Sequence, residues 1–414
     1  MNQLKLIGPF KQLVTMGGLS LKGALKDEQL PVLEGDFGVL CEGETIKEIG
    51  VFANLFERNK SENLEVIKLE GDFVALPGFI DSHTHICFAG SRARDYAMRN
   101  AGKTYLEMAE QGGGIWYTVT QTRAASQIEL EAGIKTRADR HLAEGVTTIE
   151  VKSGYGLSIT EELKMLRAIK QSNSEHQADF IPTCLAAHML PKDFQGSKKE
   201  YLAQMVQELL PVLKAEKLSN RIDIFVESSA FSSEEGKVYL EEAKALGFEL
   251  TVHADQFTVG GSALAVEVGA ISADHLEAST EEEIQILAKS ETIATALPGA
   301  SLGLGCAFTP ARKLLDAGGS LAIASDWNPG SAPMGDLLMQ AAVLGTIQKL
   351  TNAEVLAGIT YRAAAALSLM DRGTLEAGKL ADMAIFSCSN YQEILYQQGK
   401  LKPSMVIKKG QKVN

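Results

Sequence analysis

The sequence predicts an α/β fold: a (β/α)8 TIM-like barrel joined to a small β-sandwich domain that both ends of the chain form. Short apolar runs alternate with amphipathic helical stretches between about residues 80 and 330. After a first run that ends near 83–85, the apolar runs are 147–151, 180–188, 222–227, 249–253, 270–275, 292–297 and 321–326. Eight strand–helix units over roughly 250 residues are typical of such a barrel. A doubly wound open sheet is the alternative, because a count of strands does not show closure.

Helical periodicity separates these strands. Ile134, Ala138 and Leu142 lie at i, i+4 and i+8, and Gly145 follows at a position that suits the end of a helix. The stretch 163–169 also carries apolar residues at helical spacing. We therefore expect helices between the successive strands.

The two ends of the chain differ from its middle. They contain short alternating runs and turn signals, such as the glycine pair in 16–18 and the run 382–386. We predict that residues 1–76 and 373–414 meet in one small β domain beside a barrel of residues 77–372. Two unrelated terminal extensions are the alternative.

Composition narrows the class of protein. The net charge of -12 over 414 residues argues against nucleic acid and anionic membranes as partners, since both attract basic patches. A small anionic substrate stays open, because a single arginine can hold a carboxylate. The five cysteines are scattered, and no apolar run approaches the ~20 residues of a membrane span. We expect a cytoplasmic protein with reduced thiols.

Histidines collect where strands are predicted to end. His83 and His85 follow an apolar run, and side chains at i and i+2 of a strand point to the same face. In a barrel, the carboxyl ends of the strands form the face that carries active sites. The residues predicted at this face are His83, His85, His188, Glu227, His253, His275 and Asp326. The remaining histidines, His141 and His176, are predicted to lie at the surface.

Four of these residues suit a metal site. Zinc and iron(II) accept neutral imidazole and carboxylate ligands, and a catalytic site leaves one position open for water. The candidate ligands are His83, His85, His253 and Asp326. His275 ends the next strand and could take a proton from water, because its imidazole titrates near neutral pH. The alternative for His275 is a histidine that only supports the site.

Loops near these strand ends supply further candidates. Arg92 follows the histidine pair closely enough to lie at the same rim, although a single arginine is usually a solvated surface residue. Asn328, Gly330 and Ser331 follow Asp326 and could donate to a substrate, or they could form an ordinary turn.

Several segments together resemble the amidohydrolase superfamily and, within it, the imidazolonepropionase family. The segment 77–85 is shared by many amidohydrolases and sets only the superfamily. The more specific segments are 88–92, 102–105, 112–115, 151–156, 253–256, 272–276 and 325–331. The resemblance covers nearly the whole chain.

The resemblance implies hydrolytic opening of 4-imidazolone-5-propanoate to N-formimidoyl-L-glutamate, in histidine degradation. It implies one divalent or trivalent metal ion, zinc or iron, on the four candidate ligands, with His275 and Asp326 catalytic. It also implies a homodimer. The residues that it places around the substrate are Arg92, Tyr105, Tyr155, His188, Gln256, Asn328, Gly330 and Ser331.

Gln256 departs from the resembled family, some members of which have Glu at this position. An amide can hydrogen-bond the ring but cannot carry a proton as an acid or base. We therefore expect Gln256 to orient the substrate while proton transfer falls on His275 and Asp326.

The sequence leaves open a second metal ion and other functions. Binuclear relatives bridge their metals from the fourth strand, where Glu227 is predicted, but the resemblance implies one metal and leaves Glu227 out. The functional alternatives are another cyclic amidohydrolase, a deaminase, or a non-enzymatic scaffold on the same fold.

Overall fold

A computed structural model describes residues 3–61, 63–103, 107 and 111–413, and in them the strands form two eight-stranded sheets. The strands of the terminal sheet are β1 (Leu4–Val14), β2 (Val32–Glu42), β3 (Thr45–Val51), β4 (Leu64–Lys68), β5 (Val74–Pro77), β14 (Met383–Phe386), β15 (Met405–Lys408) and β16 (Gln411–Lys412). The strands of the other sheet are β6 (Phe79–Asp81), β7 (Val146–Lys152), β8 (Asp179–Ala187), β9 (Arg221–Phe225), β10 (Glu249–Ala254), β11 (Ser272–His275), β12 (Ile293–Ala296) and β13 (Leu321–Ile323).

Strands β6 to β13 are parallel and lie in sequential order. The two outer strands meet through the segments that follow them. Asp326 donates its backbone N–H to the carbonyl of His83 at 3.0 Å, and His85 donates to the carbonyl of Trp327 at 3.0 Å. The sheet therefore closes into the predicted barrel, and the open-sheet alternative is wrong.

Helices follow the barrel strands, as expected, and further helices lie between strands of the terminal sheet. They are α1 (Phe52–Asn59), α2 (Ala93–Asn100), α3 (Ile115–Ala124), α4 (Gln127–Ala143), α5 (Ile159–Glu175), α6 (Lys198–Gln204), α7 (Leu210–Glu216), α8 (Ser233–Ala245), α9 (Gly261–Val268), α10 (Glu281–Lys289), α11 (Pro298–Leu304), α12 (Ala311–Asp316), α13 (Leu337–Gln348), α14 (Asn352–Gly358), α15 (Tyr361–Ala366) and α16 (Gln392–Tyr396). Several begin at a Ser or Thr whose side chain accepts a backbone N–H, with a Glu reaching back from three residues on, as at Ser126 and Glu129. Among the described residues, no helix is both long enough and apolar enough to span a membrane.

The terminal sheet joins the two ends of the chain, as predicted. Strand β14 pairs antiparallel with β5, which pairs with β1, so strands from both ends lie side by side. One face of this sheet buries a core that includes Phe10, Val39, Ile385 and Ile407. Two unrelated extensions are thereby excluded, while the domain limits at 76/77 and 372/373 stay a prediction.

Candidate active site at the barrel mouth

The candidate catalytic residues lie at the carboxyl ends of the barrel strands and are almost fully buried. His83 and His85 follow β6, and His253 belongs to β10. His275 ends β11, and Asp326 follows β13. None of these side chains belongs to a residue that is more than 3% exposed. The parallel barrel therefore brings residues as far apart in the chain as His83 and Asp326 to the same end of the barrel.

Three imidazole nitrogens and one carboxylate oxygen converge there. His83 Nε2 lies 3.2 Å from His85 Nε2, which lies 3.3 Å from His253 Nε2. Asp326 Oδ1 lies 3.6 Å from His83 Nε2 and 3.4 Å from His85 Nε2. Four atoms bound tetrahedrally to zinc at 2.0–2.1 Å would lie roughly 3.3 Å apart. The spacing of this donor set therefore fits one metal ion.

Carboxylates lie beside Nδ1 of two of the histidines and determine which ring nitrogen of each histidine carries the proton. His83 Nδ1 lies 2.7 Å from Asp274 Oδ2, and His253 Nδ1 lies 2.9 Å from Asp223 Oδ2. Each Nδ1 can then carry the proton, which leaves the Nε2 lone pair free for a cation. Facing lone pairs at such short distances repel each other unless a cation lies between them.

A buried lysine ties these carboxylates together. Lys152 is 1% exposed, and its Nζ lies 2.8 Å from Glu150 Oε1 and 2.9 Å from Asp223 Oδ2. The same ammonium lies 3.8 Å from Asp274 Oδ2. Glu150 Oε2 in turn accepts the backbone N–H of Thr84, between the two candidate ligands.

The histidines of the donor set are neutral in this environment. Burial lowers the pKa of His83 and of His85 well below the usual range, and the neighbouring cationic groups lower them further. Burial also lowers the pKa of His253 although Asp223 opposes the shift. Burial raises the pKa of Asp326 to about 7. Neutral imidazoles and a carboxylate that burial leaves poorly solvated are what a metal ion stabilises most.

His275 differs from the other histidines. Burial by itself lowers its pKa, but the carboxylates of Glu277, Asp326 and Asp274 outweigh burial and raise the pKa. Its Nδ1 lies 3.3 Å from Glu277 Oε1, and its backbone is held at a φ of 87°. The ring centroid lies 5.3 Å from that of His253. His275 is therefore the basic imidazole beside the donor set.

The turn after Asp326 is closed by Asn328. The Asn328 amide donates to Asp326 Oδ2 at 2.9 Å and to Ser331 Oγ at 2.8 Å. Its oxygen accepts the backbone N–H groups of Gly330 at 2.7 Å and of Ser331 at 2.8 Å. Ser331 also donates to Asp326 Oδ2 at 3.2 Å. The segment is therefore a turn whose donors surround a candidate ligand, and contact of these residues with a substrate stays a prediction.

Arg92 lies over this turn, so the structure brings it to the site. A Cβ atom at Gly330 would overlap Arg92 Nη1. The Arg92 side chain is 13% exposed, and its Nε–H donates to Asp95 Oδ2 at 2.8 Å.

Tyr155 and His188 form an aromatic wall beside His85. The His188 ring stacks on His85 at a centroid distance of 5.5 Å and an angle of 21°, and the Tyr155 ring lies 5.5 Å from His188. Burial lowers the pKa of His188 to about 3, so this imidazole is neutral. His188 Nδ1 lies 2.9 Å from the carbonyl of Gly154.

Other predicted residues have different outcomes. Tyr105 lies outside the described residues, and Gln256 is half-buried after β10. Glu227 Oε2 accepts the backbone N–H groups of Phe257 at 3.0 Å and Thr258 at 3.1 Å, so it holds a loop. The expectation that His141 lies at the surface is wrong. Its ring is fully buried, 4.8 Å from Trp327, with Nε2 3.1 Å from Asp81 Oδ2, because α4 turns this face toward the barrel.

Sequence patterns missed the carboxylates that support the site. They are Asp95, Glu150, Glu162, Asp223, Asp274 and Glu277. A signal existed for three of them, because Glu150, Asp223 and Asp274 are acidic residues inside strands that were predicted to be buried. Such residues are rarely buried without a partner.

Comparison with known proteins gives the family. A profile of the amidohydrolase family matches residues 74–413. An imidazolonepropionase of Symbiobacterium thermophilum is 44% identical over 340 residues, 81% of this chain and 80% of the relative. An imidazolonepropionase of Bacillus cytotoxicus is 39% identical over 406 residues, 96% of this chain and 94% of the relative.

Solved structures show the same fold at low sequence identity. An atrazine chlorohydrolase from Arthrobacter aurescens complexed with zinc aligns with a TM-score of 0.72 at 18% identity, covering 99% of this chain and 94% of that one. An adenosine deaminase from Xanthomonas campestris with bound zinc aligns with a TM-score of 0.72 at 19% identity, covering 99% and 92%. On the sequence relatives, this chain belongs to the amidohydrolase family and, within it, to the imidazolonepropionases.

Proposed function

We propose that this enzyme opens the ring of 4-imidazolone-5-propanoate by hydrolysis to N-formimidoyl-L-glutamate, in histidine degradation. The observation that carries the proposal is the juxtaposition of a metal-type donor set with a partly buried arginine, Arg92. Asn328 contacts Asp326 on one side and the Gly330 backbone, which lies against Arg92, on the other. A ring at the donor set would thus have its propanoate within reach of a guanidinium.

The donor set would form the reactive centre of the enzyme. His83, His85, His253 and Asp326 would hold one metal ion, and we propose zinc or iron. Such an ion lowers the pKa of water and polarises a carbonyl, which is the activation that amide hydrolysis requires.

His275, assisted by Asp326, would carry out proton transfer during the reaction. The raised pKa of His275 suits a group that accepts a proton from water and returns it to the leaving ring nitrogen. Glu277 at Nδ1 leaves Nε2 of the neutral ring as the proton acceptor. Asp326, whose carboxylate also acts on His275, would stabilise the imidazolium that forms on His275.

The remaining residues would bind the substrate. Arg92 would pair with the propanoate through two parallel N–H groups. Tyr155, His188 and Gln256 would orient the ring, and Tyr105 is proposed as a further substrate-binding residue. Asn328, Gly330 and Ser331 would contact the glutamate part of the product.

The proposal also covers the charge of the substrate, the oligomeric state and the cellular location. The substrate is a small anionic molecule, and we propose a homodimer that works in the cytoplasm. Size measurement in solution and localisation of a tagged chain test these two points.

One assay tests the reaction. The loss of the ultraviolet absorbance of imidazolone propanoate is followed with enzyme as purified, after chelation, and after zinc or iron is restored. Turnover that disappears with chelator and returns with metal is expected. Faster turnover of hydantoins or nucleobases than of imidazolone propanoate would contradict the substrate assignment.

A further inference from the structure

Asp95 is a buried carboxylate at the rim that has no part in the proposed reaction. It lies on α2 and is 6% exposed. One oxygen, Oδ2, accepts both Arg92 Nε–H at 2.8 Å and the backbone N–H of Gly114 at 2.8 Å. Asp95 therefore joins the candidate carboxylate-binding arginine to a second segment of the chain.

The Gly114 contact explains why the carboxylate stays in place. Gly114 has a φ of 78° and precedes α3, so its N–H points out of the start of that helix. A negative charge at the start of a helix is favourable. Asp95 is thus held by α3 whether or not Arg92 is present.

The Nε contact restricts how Arg92 can meet an anion. A guanidinium offers five N–H groups, and it can pair with a carboxylate either through Nε and one Nη or through both Nη atoms. Asp95 accepts the Nε–H, and within the described part of the chain neither Nη1 nor Nη2 donates to another group.

The Nη end of Arg92 lies against the turn after Asp326. Arg92 Nη1 lies so close to the position of a Cβ at residue 330 that any residue other than glycine would push the guanidinium aside. The Gly330 N–H is itself fixed by Asn328, which donates to Asp326 Oδ2 at 2.9 Å. The guanidinium end therefore lies against a turn that Asn328 ties to the donor set.

We propose that Asp95 is a positioning residue that, together with the space at Gly330, presents the Nη end of Arg92 to the substrate carboxylate. This inference rests on the proposed function of Arg92. A pre-oriented arginine loses less side-chain freedom when the anion binds. Asp95 thereby favours ring substrates with a carboxylate side chain over neutral ones.

The test is a double-mutant cycle on KM for imidazolone propanoate. Asp95→Ala should raise KM roughly tenfold and change kcat less than about twofold, because it removes binding and not chemistry. Asp95→Asn keeps an oxygen for both N–H groups and should stay within about threefold of the parent. In an Arg92→Ala background, Asp95→Ala should change KM by less than about twofold. The propanamide analogue of the substrate should show no dependence on Asp95.

Gly330→Ala provides a second route if Asp95→Ala fails to fold. Its methyl group should displace Arg92, so KM should rise more in the parent than in the Arg92→Ala background, where only the direct contact of Gly330 with the ligand is affected. Parental KM in a folded Asp95→Ala enzyme, or a full effect of Asp95→Ala on top of Arg92→Ala, would overturn the positioning role alone. Parental KM in Arg92→Ala would instead refute the carboxylate contact of the proposed function, and the inference with it.

Discussion

At the scale of single residues, the site depends on carboxylates that never meet the substrate. Asp274 and Asp223 face the Nδ1 atoms of His83 and His253, and Glu277 faces Nδ1 of His275. Each partner decides which ring nitrogen carries the proton and therefore which nitrogen faces the cavity. In the proposed function, Nε2 would bind the metal in His83 and His253 and would accept a proton in His275.

The role of His275 is tested by His275→Ala. Turnover should fall about 10²–10⁴-fold, because general-base catalysis is lost while the donor set is intact. Metal content, measured on the same sample, should stay at the parental level. His176→Ala is the matched control, since His176 pairs with Asp139 away from the site. Near-parental turnover of His275→Ala would reject this residue as the proton carrier.

The role of Asp274 is tested through metal affinity. Asp274→Asn removes the charge at His83 Nδ1 and should weaken metal binding about 10–100-fold. Competition with a chromogenic chelator measures this affinity without any assay of turnover. Asp382→Asn also changes a buried carboxylate, but on Lys408 in the terminal sheet, and should leave metal affinity unchanged. Equal affinities for the parent and Asp274→Asn would contradict the assignment.

At the scale of structural elements, the loop between β7 and α5 is shaped by one helix residue. Glu162 is fully buried, and its carboxylate accepts the N–H groups of Gly154 at 3.1 Å, Gly156 at 2.8 Å and Leu157 at 2.7 Å. Gly154 has a φ of 110°, which a residue with a side chain would strain to adopt. This loop carries Tyr155, and its Gly154 carbonyl also holds His188, so a helix side chain orders the wall of the site.

Glu162→Gln tests this link. The amide has one oxygen where the carboxylate has two, so a buried backbone N–H loses its acceptor. The free energy of unfolding should fall by about 1–3 kcal/mol, with a rise in KM as the wall loosens. Urea denaturation and steady-state kinetics measure the two effects. Glu161→Gln, on the same helix but partly exposed, should change stability by less than about 0.5 kcal/mol; equal effects of the two variants would contradict the argument.

At the scale of the whole molecule, a charge cluster joins the terminal sheet to the barrel. Asp179 begins β8, and its carboxylate lies 2.8 Å from Lys408 Nζ on β15. It also lies 2.7 Å from Arg372 Nη1 and 2.9 Å from Lys409 Nζ. Burial alone would raise the pKa of Asp179, but these cations outweigh burial and lower it from 3.8 to about 2.

The lowered pKa predicts an acid-dependent contribution to stability. The Asp179 pairings stabilise the fold fully above the unfolded pKa near 4, and this contribution disappears as pH falls through 2. Asp179→Asn should therefore lower the free energy of unfolding by about 1–2 kcal/mol at neutral pH, a figure reduced for solvent screening.

The difference between parent and Asp179→Asn should shrink as pH falls from about 4 to about 2. Denaturant titrations across this range measure it, with Asp139→Asn as an exposed-carboxylate control. A difference that does not vary with pH would contradict the predicted ionisation.

The positions of the barrel strands and the joining of the two chain ends could be predicted from the sequence. All eight barrel strands fall where the apolar runs predicted them, because a parallel strand that is buried on both faces is mostly apolar. The union of the two chain ends was also predictable from their shared alternating pattern. The burial of His141 was not, because a helix pattern does not tell which polar residue finds a partner beneath it.

The sequence by itself determined the chemistry of this protein: which imidazoles and carboxylates lie at strand ends, and which family they belong to. Tertiary structure alone decided their roles, because closure of the barrel sets the stagger between strands and hence which side chains meet. Closure brings Asp326 to His83 and Arg92 to Gly330. Closure also places Asp274, Asp223 and Lys152 beneath the donor set. Such contacts join residues far apart in the chain, and no spacing along it encodes them.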